Sequence, residues 1–143
     1  LADDDTYVFA KRVITRDSDP DRESHEAVTA DEFARHQKAK AFTLVWRVYD
    51  TDYGIVASYN DDLNADRHVV ANVSRGVVGV AVGHFRPACV IQITAPLPVL
   101  EYRLNARDDI RNLEEPLART VMLPDEILVN HLLNTKDAET WVG

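Results

Sequence analysis

Lys11, Arg12 and Arg16 cluster in "FAKRVITRDSD", in a chain that is otherwise acidic: 24 Asp+Glu against 16 Lys+Arg, a formal charge of −8. Such a cluster suits a small anion, because guanidinium forks match phosphate oxygens and a site needs only local positive potential. The overall charge argues against a nucleic-acid partner, which usually meets a basic face. A second group, Asn72, Ser74 and Arg75 in "ANVSR", falls at the carboxyl end of a stretch read as a buried strand. Ligands of open α/β sheets bind at that end. The single cysteine, Cys89 in "ACVIQIT", reads as a buried small hydrophobe in a reducing compartment, since a reactive thiol needs an exposed electropositive setting.

The elements that must position these groups follow from patterning. The 143 residues suit one compact domain, and 45% apolar with 28% charged residues is a soluble globular composition. No stretch approaches a membrane span and no signal peptide is visible, so the cytoplasm is the expected location. The chain opens "LADDD" without an initiator Met and so reads as trimmed or incomplete. Residues 6–14 and 42–50 read as strands, with "DTDYG" turning the chain after the second. Thr29 with Glu32 forms a capping box ahead of a short helix that buries Phe33. "NDDLNAD" reads as a short helix, and 67–74 as a buried strand. Residues 75–85 read as a helix in which Gly76, Gly79 and Gly83 present a thin face for close approach to a sheet. Residues 88–95 are too apolar to alternate, as in a strand covered on both faces. Helices are expected over 96–107 and 108–120, a last strand over 126–130 and a last helix in "KDAETWV". Strands alternating with helices imply an α/β fold around a mostly parallel sheet.

Four segments, in order, resemble the guanylate-kinase-like branch of the P-loop nucleotide kinases: "RVITR" with its polar loop, "HEAVTADEF", "DYGI" and "VIQITAPLPVLEYRLNAR". Within that branch "SHEAV", "LVW" and "ANVSR" are closest to the ribose 1,5-bisphosphate phosphokinases. The resemblance spans nearly all of residues 7–140. It implies a three-layer P-loop-kinase-like fold with a small acceptor-binding subdomain over about 11–60 and a short lid over about 105–120. It also implies ATP-dependent phosphoryl transfer to ribose 1,5-bisphosphate, giving phosphoribosyl diphosphate, with ATP and Mg²⁺ as cofactors. A carboxylate that reads guanine in guanylate kinases is replaced here by Leu44, and Ser74 stands at the other such position. Leu44 cannot accept a hydrogen bond, which disfavours guanine, although Leu44 is equally readable as a strand core residue.

Carried onto matching positions, the resemblance gives Arg12, Arg16 and Tyr53 contacts with the acceptor's phosphate and His25 a contact with the acceptor. Asn72, Ser74 and Arg75, at the strand end where ligands bind, are substrate-binding candidates led by Arg75, with Ser74 able to bond a ribose hydroxyl. On a regular strand Arg12 and Arg16 would sit roughly 13 Å apart. They could share one phosphate only if the strand ends by Thr15; otherwise they grip the two phosphates of a bisphosphate. A solvated basic patch, a structural Tyr53 and an exposed loop His25 are the competing readings. Gly54 is expected to permit a tight turn. Arg103 and Arg107 would stabilise the transferring phosphoryl group, and Asn134 would touch an adenine edge.

The chain departs from the family at three points. No G-x-x-x-x-G-K-[ST] occurs in it, so these residues contain no cradle for ATP phosphates and Mg²⁺, and no ATP turnover is expected of these residues alone. "NARDDIRNLEEPLAR" is short of the family's lid, with Pro116 at a usually basic position and Arg111 or Arg119 as possible substitutes. Without the strand that precedes the phosphate loop, two neighbouring strands would also expose edges. The alternative functions are a non-catalytic guanylate-kinase-like binding module, a guanylate kinase relative, or an unrelated α/β fold.

Overall fold

The computed structural model describes residues 5–17, 25–99 and 129–134. The chain divides into two compact units, Leu1–Val77 and Val78–Gly143.

In the first unit the strand expected over 6–14 is two strands in two sheets. β1 (Tyr7–Ala10) pairs in parallel with β6 (His68–Ala71), whereas β2 (Arg12–Ile14) pairs antiparallel with β5 (Thr51–Val56). The switch is made at Lys11, whose backbone N–H donates to the Tyr59 hydroxyl at 2.9 Å instead of to a ladder. β2 also takes β3 (Glu26–Ala27) in parallel, and β4 (Phe42–Val48) closes the sheet in the order β3-β2-β5-β4. α1 (Ala30–Lys38) starts at the expected capping box. The Thr29 side chain accepts from the Glu32 N–H, and the Glu32 carboxylate accepts from the Thr29 N–H.

The β4–β5 connection turns at Tyr49 and Asp50, two residues between the Val48–Thr51 pair. Tyr49 has φ 52°, a left-handed first position that matches the twist of a tight hairpin. "DYG" therefore lies inside β5, not in a turn, and Gly54 serves packing. A Cβ there would stand 2.7 Å from Cδ1 of Phe42. Phe42 is held in place by the stacked ring of Phe33 (4.7 Å between centroids) and the edge contact of His36 (6.0 Å). So α1 covers the Val13–Gly54–Val45 face of the sheet, and Phe33 is buried as expected. The opposite face carries the rows Arg12–Ile55–Leu44 and Ile14–Tyr53–Trp46, since laterally paired residues point to one side. Leu44, Ile55, Ile14 and Trp46 of these rows are buried.

After α2 (Tyr59–Asn64), β6 is shorter than the expected 67–74 and is mostly exposed, because among the described residues its one ladder is with β1. Asn72 and Ser74 lie beyond its end, and Arg75 begins a helix. That helix, α3 (Arg75–His84), forms as expected but buries Val77 and Val78. Its glycine face is open: a Cβ on Gly76, Gly79 or Gly83 would meet nothing within 4 Å.

In the second unit β7 (Val90–Thr94) pairs in parallel with β8 (Val129–Leu133), which begins three residues later than the sequence suggested. β7 alternates after all. Ile91 and Ile93 are exposed, so the strand is not covered on both faces. Cys89, just before it, is exposed and accepts from Asn130 Nδ2 at 3.2 Å, contrary to the buried reading; burial failed with the covered face that was to supply it. The helices expected over 96–107 (past residue 99) and 108–120, the lid and the last helix lie outside the described residues. Among the described residues no helix is long and apolar enough to cross a membrane.

Candidate functional site

Two of the phosphate-contact candidates share one face of the four-stranded sheet. Arg12 is half-buried on β2, and its guanidinium carbon lies 5.8 Å from the centre of the Tyr53 ring. On the β4 side, Trp46 stacks on Tyr53 with ring centres 5.3 Å apart and planes 9° from parallel. The indole N–H of Trp46 then donates to the Ser74 hydroxyl at 2.8 Å. This bond ties the loop after β6 to the sheet and brings Ser74 to the same constellation. Sequence reasoning missed Trp46. Its signal was present in "TLVWRV", where alternation puts Leu44 and Trp46 on one face and a buried indole N–H demands an acceptor.

Arg16 sits where the strand stops. The Thr15 N–H donates to the Asp52 carbonyl (3.1 Å), and the Asp52 N–H donates to Thr15 Oγ1 (2.8 Å). A side chain thus replaces the next ladder carbonyl, and the chain bends at Thr15 and Arg16. That meets the condition under which Arg12 and Arg16 could address one phosphate. Arg16 is exposed; its carbonyl accepts from His25 Nε2 at 3.2 Å, so this nitrogen carries the proton. His25 is buried, not an exposed loop histidine, and braces the bend.

Asn72 is exposed in the loop after β6, and Arg75 is exposed as the first residue of α3. Asn134 follows β8 in the second unit, half-buried, its backbone N–H donating to the Thr94 carbonyl at 2.6 Å. Arg103 and Arg107, with Arg111, Pro116 and Arg119, lie outside the described residues. Elsewhere on the sheet, Arg47 forks onto Asp52 (2.6 and 2.7 Å), and the hydrogen bonds it donates to this carboxylate raise the pKa of the guanidinium. No group of three or more His, Cys, Asp or Glu among the described residues could hold a metal ion.

No protein-family model matches the chain. Individual relatives do. The ribose 1,5-bisphosphate phosphokinase PhnN of Rhodopseudomonas palustris is 43% identical over 106 residues, 74% of this chain and 54% of that protein. The protein of the same name from Acidiphilium cryptum is 47% identical over 100 residues, 70% of this chain and 52% of its own. A bifunctional ribose 1,5-bisphosphokinase-thymidine phosphorylase of Cupriavidus necator is 43% identical over 104 residues, 73% of this chain and 17% of that protein. Among solved structures, the guanylate kinase of Anaplasma phagocytophilum superposes with a TM-score of 0.68 at 16% identity, covering 94% of this chain and 70% of that one. The fold is therefore guanylate-kinase-like, with mixed α/β content and parallel strand pairs. The chain spans about half the length of the single-function relatives it matches. By its sequence it belongs to the ribose 1,5-bisphosphate phosphokinase family.

Proposed function

We propose that the gene product is an ATP-dependent kinase that converts ribose 1,5-bisphosphate to phosphoribosyl diphosphate, and that the β3-β2-β5-β4 sheet forms part of its acceptor site. The observation that supports this most is the makeup of the Arg12–Tyr53 face. Its two rows offer a guanidinium and a phenol among Leu44, Ile55 and Ile14, and contain no carboxylate. Such a lining donates hydrogen bonds and offers no ionised acceptor. An oxygen-rich dianion matches it, whereas a base edge rich in N–H groups would lose partners in water and find none here.

The chemistry asks little of the protein beyond placement. Going from ribose 1,5-bisphosphate to the diphosphate, an oxygen of the 1-phosphate forms the new O–P bond as the bond between the transferred phosphorus and its former bridging oxygen breaks. That attacking oxygen is largely ionised at neutral pH, since phosphate esters lose their second proton near ~6. No general base is then required. What remains is to hold anions together and in line, a positioning effect that can supply ~7–11 kcal/mol. Arg12 and Arg16 supply the positive charge on the acceptor side, Tyr53 and Ser74 supply hydroxyl donors, and Asn72 and Arg75 are proposed as further contacts to the acceptor. Arg103 and Arg107 are proposed to stabilise the transferring group, and Asn134 to contact the adenine. ATP with Mg²⁺ supplies the phosphoryl group when bound. The described residues hold no metal-ligating cluster and the chain has no phosphate-loop motif, so no residue here is assigned to the Mg²⁺ or the phosphate cradle.

The test is an assay of the full-length gene product with Mg²⁺-ATP and either ribose 1,5-bisphosphate or GMP. Phosphoribosyl diphosphate should appear and GMP should be untouched. Turnover of GMP, or inertness toward ribose 1,5-bisphosphate, overturns the reading.

A further inference from the structure

We infer that Trp46 is a positioning residue of the acceptor site: its indole N–H fixes the direction of the Ser74 hydroxyl so that Ser74 donates to a ligand oxygen. The inference rests on the acceptor reading above. An indole nitrogen can only donate, so the 2.8 Å bond to Ser74 Oγ occupies a lone pair of that oxygen. The Ser74 proton must then point away from the ring. Ser74 is half-buried in the loop after β6, and its remaining O–H is aimed by a partner that is itself held fast. Trp46 is buried, lies opposite Tyr53 in the β4–β5 ladder and stacks on it almost in parallel. The indole therefore cannot swing to another acceptor without leaving the stack.

The arrangement also decides what the site can take. β4 and β2 flank β5 on opposite sides, so Tyr53 stands between the Trp46 ring and the Arg12 guanidinium. Its ring faces are engaged, and what it offers a ligand is its edge and hydroxyl. Stacking on an aromatic face is worth about 1–3 kcal/mol to a nucleobase, and that surface is already taken. With Ser74 turned into a donor at the Trp46 ring that stacks on Tyr53, the ligand class that fits is a phosphorylated sugar presenting acceptor oxygens.

A Trp that merely filled the core would be replaced by Phe at small cost to ligand binding, because the stack on Tyr53 survives. The role proposed here predicts otherwise. Binding of ribose 1,5-bisphosphate to the full-length gene product should be measured by titration calorimetry for the wild type, W46F, S74A and the double variant. W46F and S74A should each raise Kd about tenfold, the scale of one hydrogen bond to a charged or polar oxygen. The double variant should be no worse than S74A alone, because Trp46 acts through Ser74. In turnover, KM should rise with kcat little changed. S74A alters a half-buried loop residue and so remains informative if W46F folds poorly. W46F binding as the wild type does, S74A binding as the wild type does, or losses that add in the double variant each overturn the inference while leaving the proposed function standing. A wild-type protein that ignores ribose 1,5-bisphosphate overturns both.

Discussion

A guanidinium lying over a phenol ring is oriented by that ring and brings its positive charge to the same face of the sheet. Arg12 is in that position, half-buried at the edge of a face whose other members are apolar or aromatic. Arg12→Ala should therefore weaken binding of ribose 1,5-bisphosphate by about 1.5–3 kcal/mol, the scale of a hydrogen bond to a charged group. Calorimetry on the full-length gene product reads this directly, and an unchanged Kd would assign Arg12 to sheet packing. Arg16→Ala should cost a similar amount if the bend at Thr15 turns it to the same phosphate. Residue types were the legible part of the site: Arg12, Arg16, Tyr53 and Ser74 stand out as groups able to hold an oxyanion. The geometry joining them was not, because the Trp46–Ser74 bond links positions 28 apart and no local pattern encodes such a pairing.

Local pattern does decide how elements begin and how closely they pack. The Thr29–Glu32 box starts α1 as the spacing required, and Thr29→Ala should destabilise the protein by about 1 kcal/mol in urea unfolding. The hydrogen bond from the Thr29 backbone N–H, then that from its hydroxyl, holds the Glu32 carboxyl below its usual pKa. A carboxylate whose pKa is lowered on folding stabilises the fold above its unfolded pKa and loses that contribution as pH falls through the folded value. The unfolding midpoints of wild type and Glu32→Gln should thus differ at pH 7 and converge as pH falls below the ordinary glutamate range and through the lowered folded value. A gap that persists in acid would mean that the charge of Glu32 is immaterial to the cap. Gly54 carries a different lesson. A glycine after Tyr53 suggests a turn, but in β5 it makes room for Phe42, which Phe33 and His36 keep from retreating. Gly54→Ala should cost about 1–3 kcal/mol by overpacking, and an unaltered melting temperature would show that Phe42 yields.

For the molecule as a whole, the contrast is between a sheet closed on one face by α1 and two sheets that are each a single parallel pair among the described residues. Two-stranded sheets are marginal on their own. In hydrogen exchange of the chain, amides of β4 and β5 near Gly54 should exchange more slowly than those of β1, β6, β7 and β8; equal rates would mean that the pairs are reinforced as strongly as the core sheet. The sequence by itself determined the α/β class, the family resemblance, the cap of α1 and the residue types able to grip an anion, because these rest on near-neighbour spacing and side-chain chemistry. Tertiary structure decided where one apparent strand splits between two sheets, why Gly54 is small, that Cys89 and the β7 isoleucines face outward, and that Trp46 joins Tyr53 to Ser74. Each of those depends on which distant backbone a residue meets, and pairing between distant strands is set by the energy of the assembled sheet, not by any window along the chain.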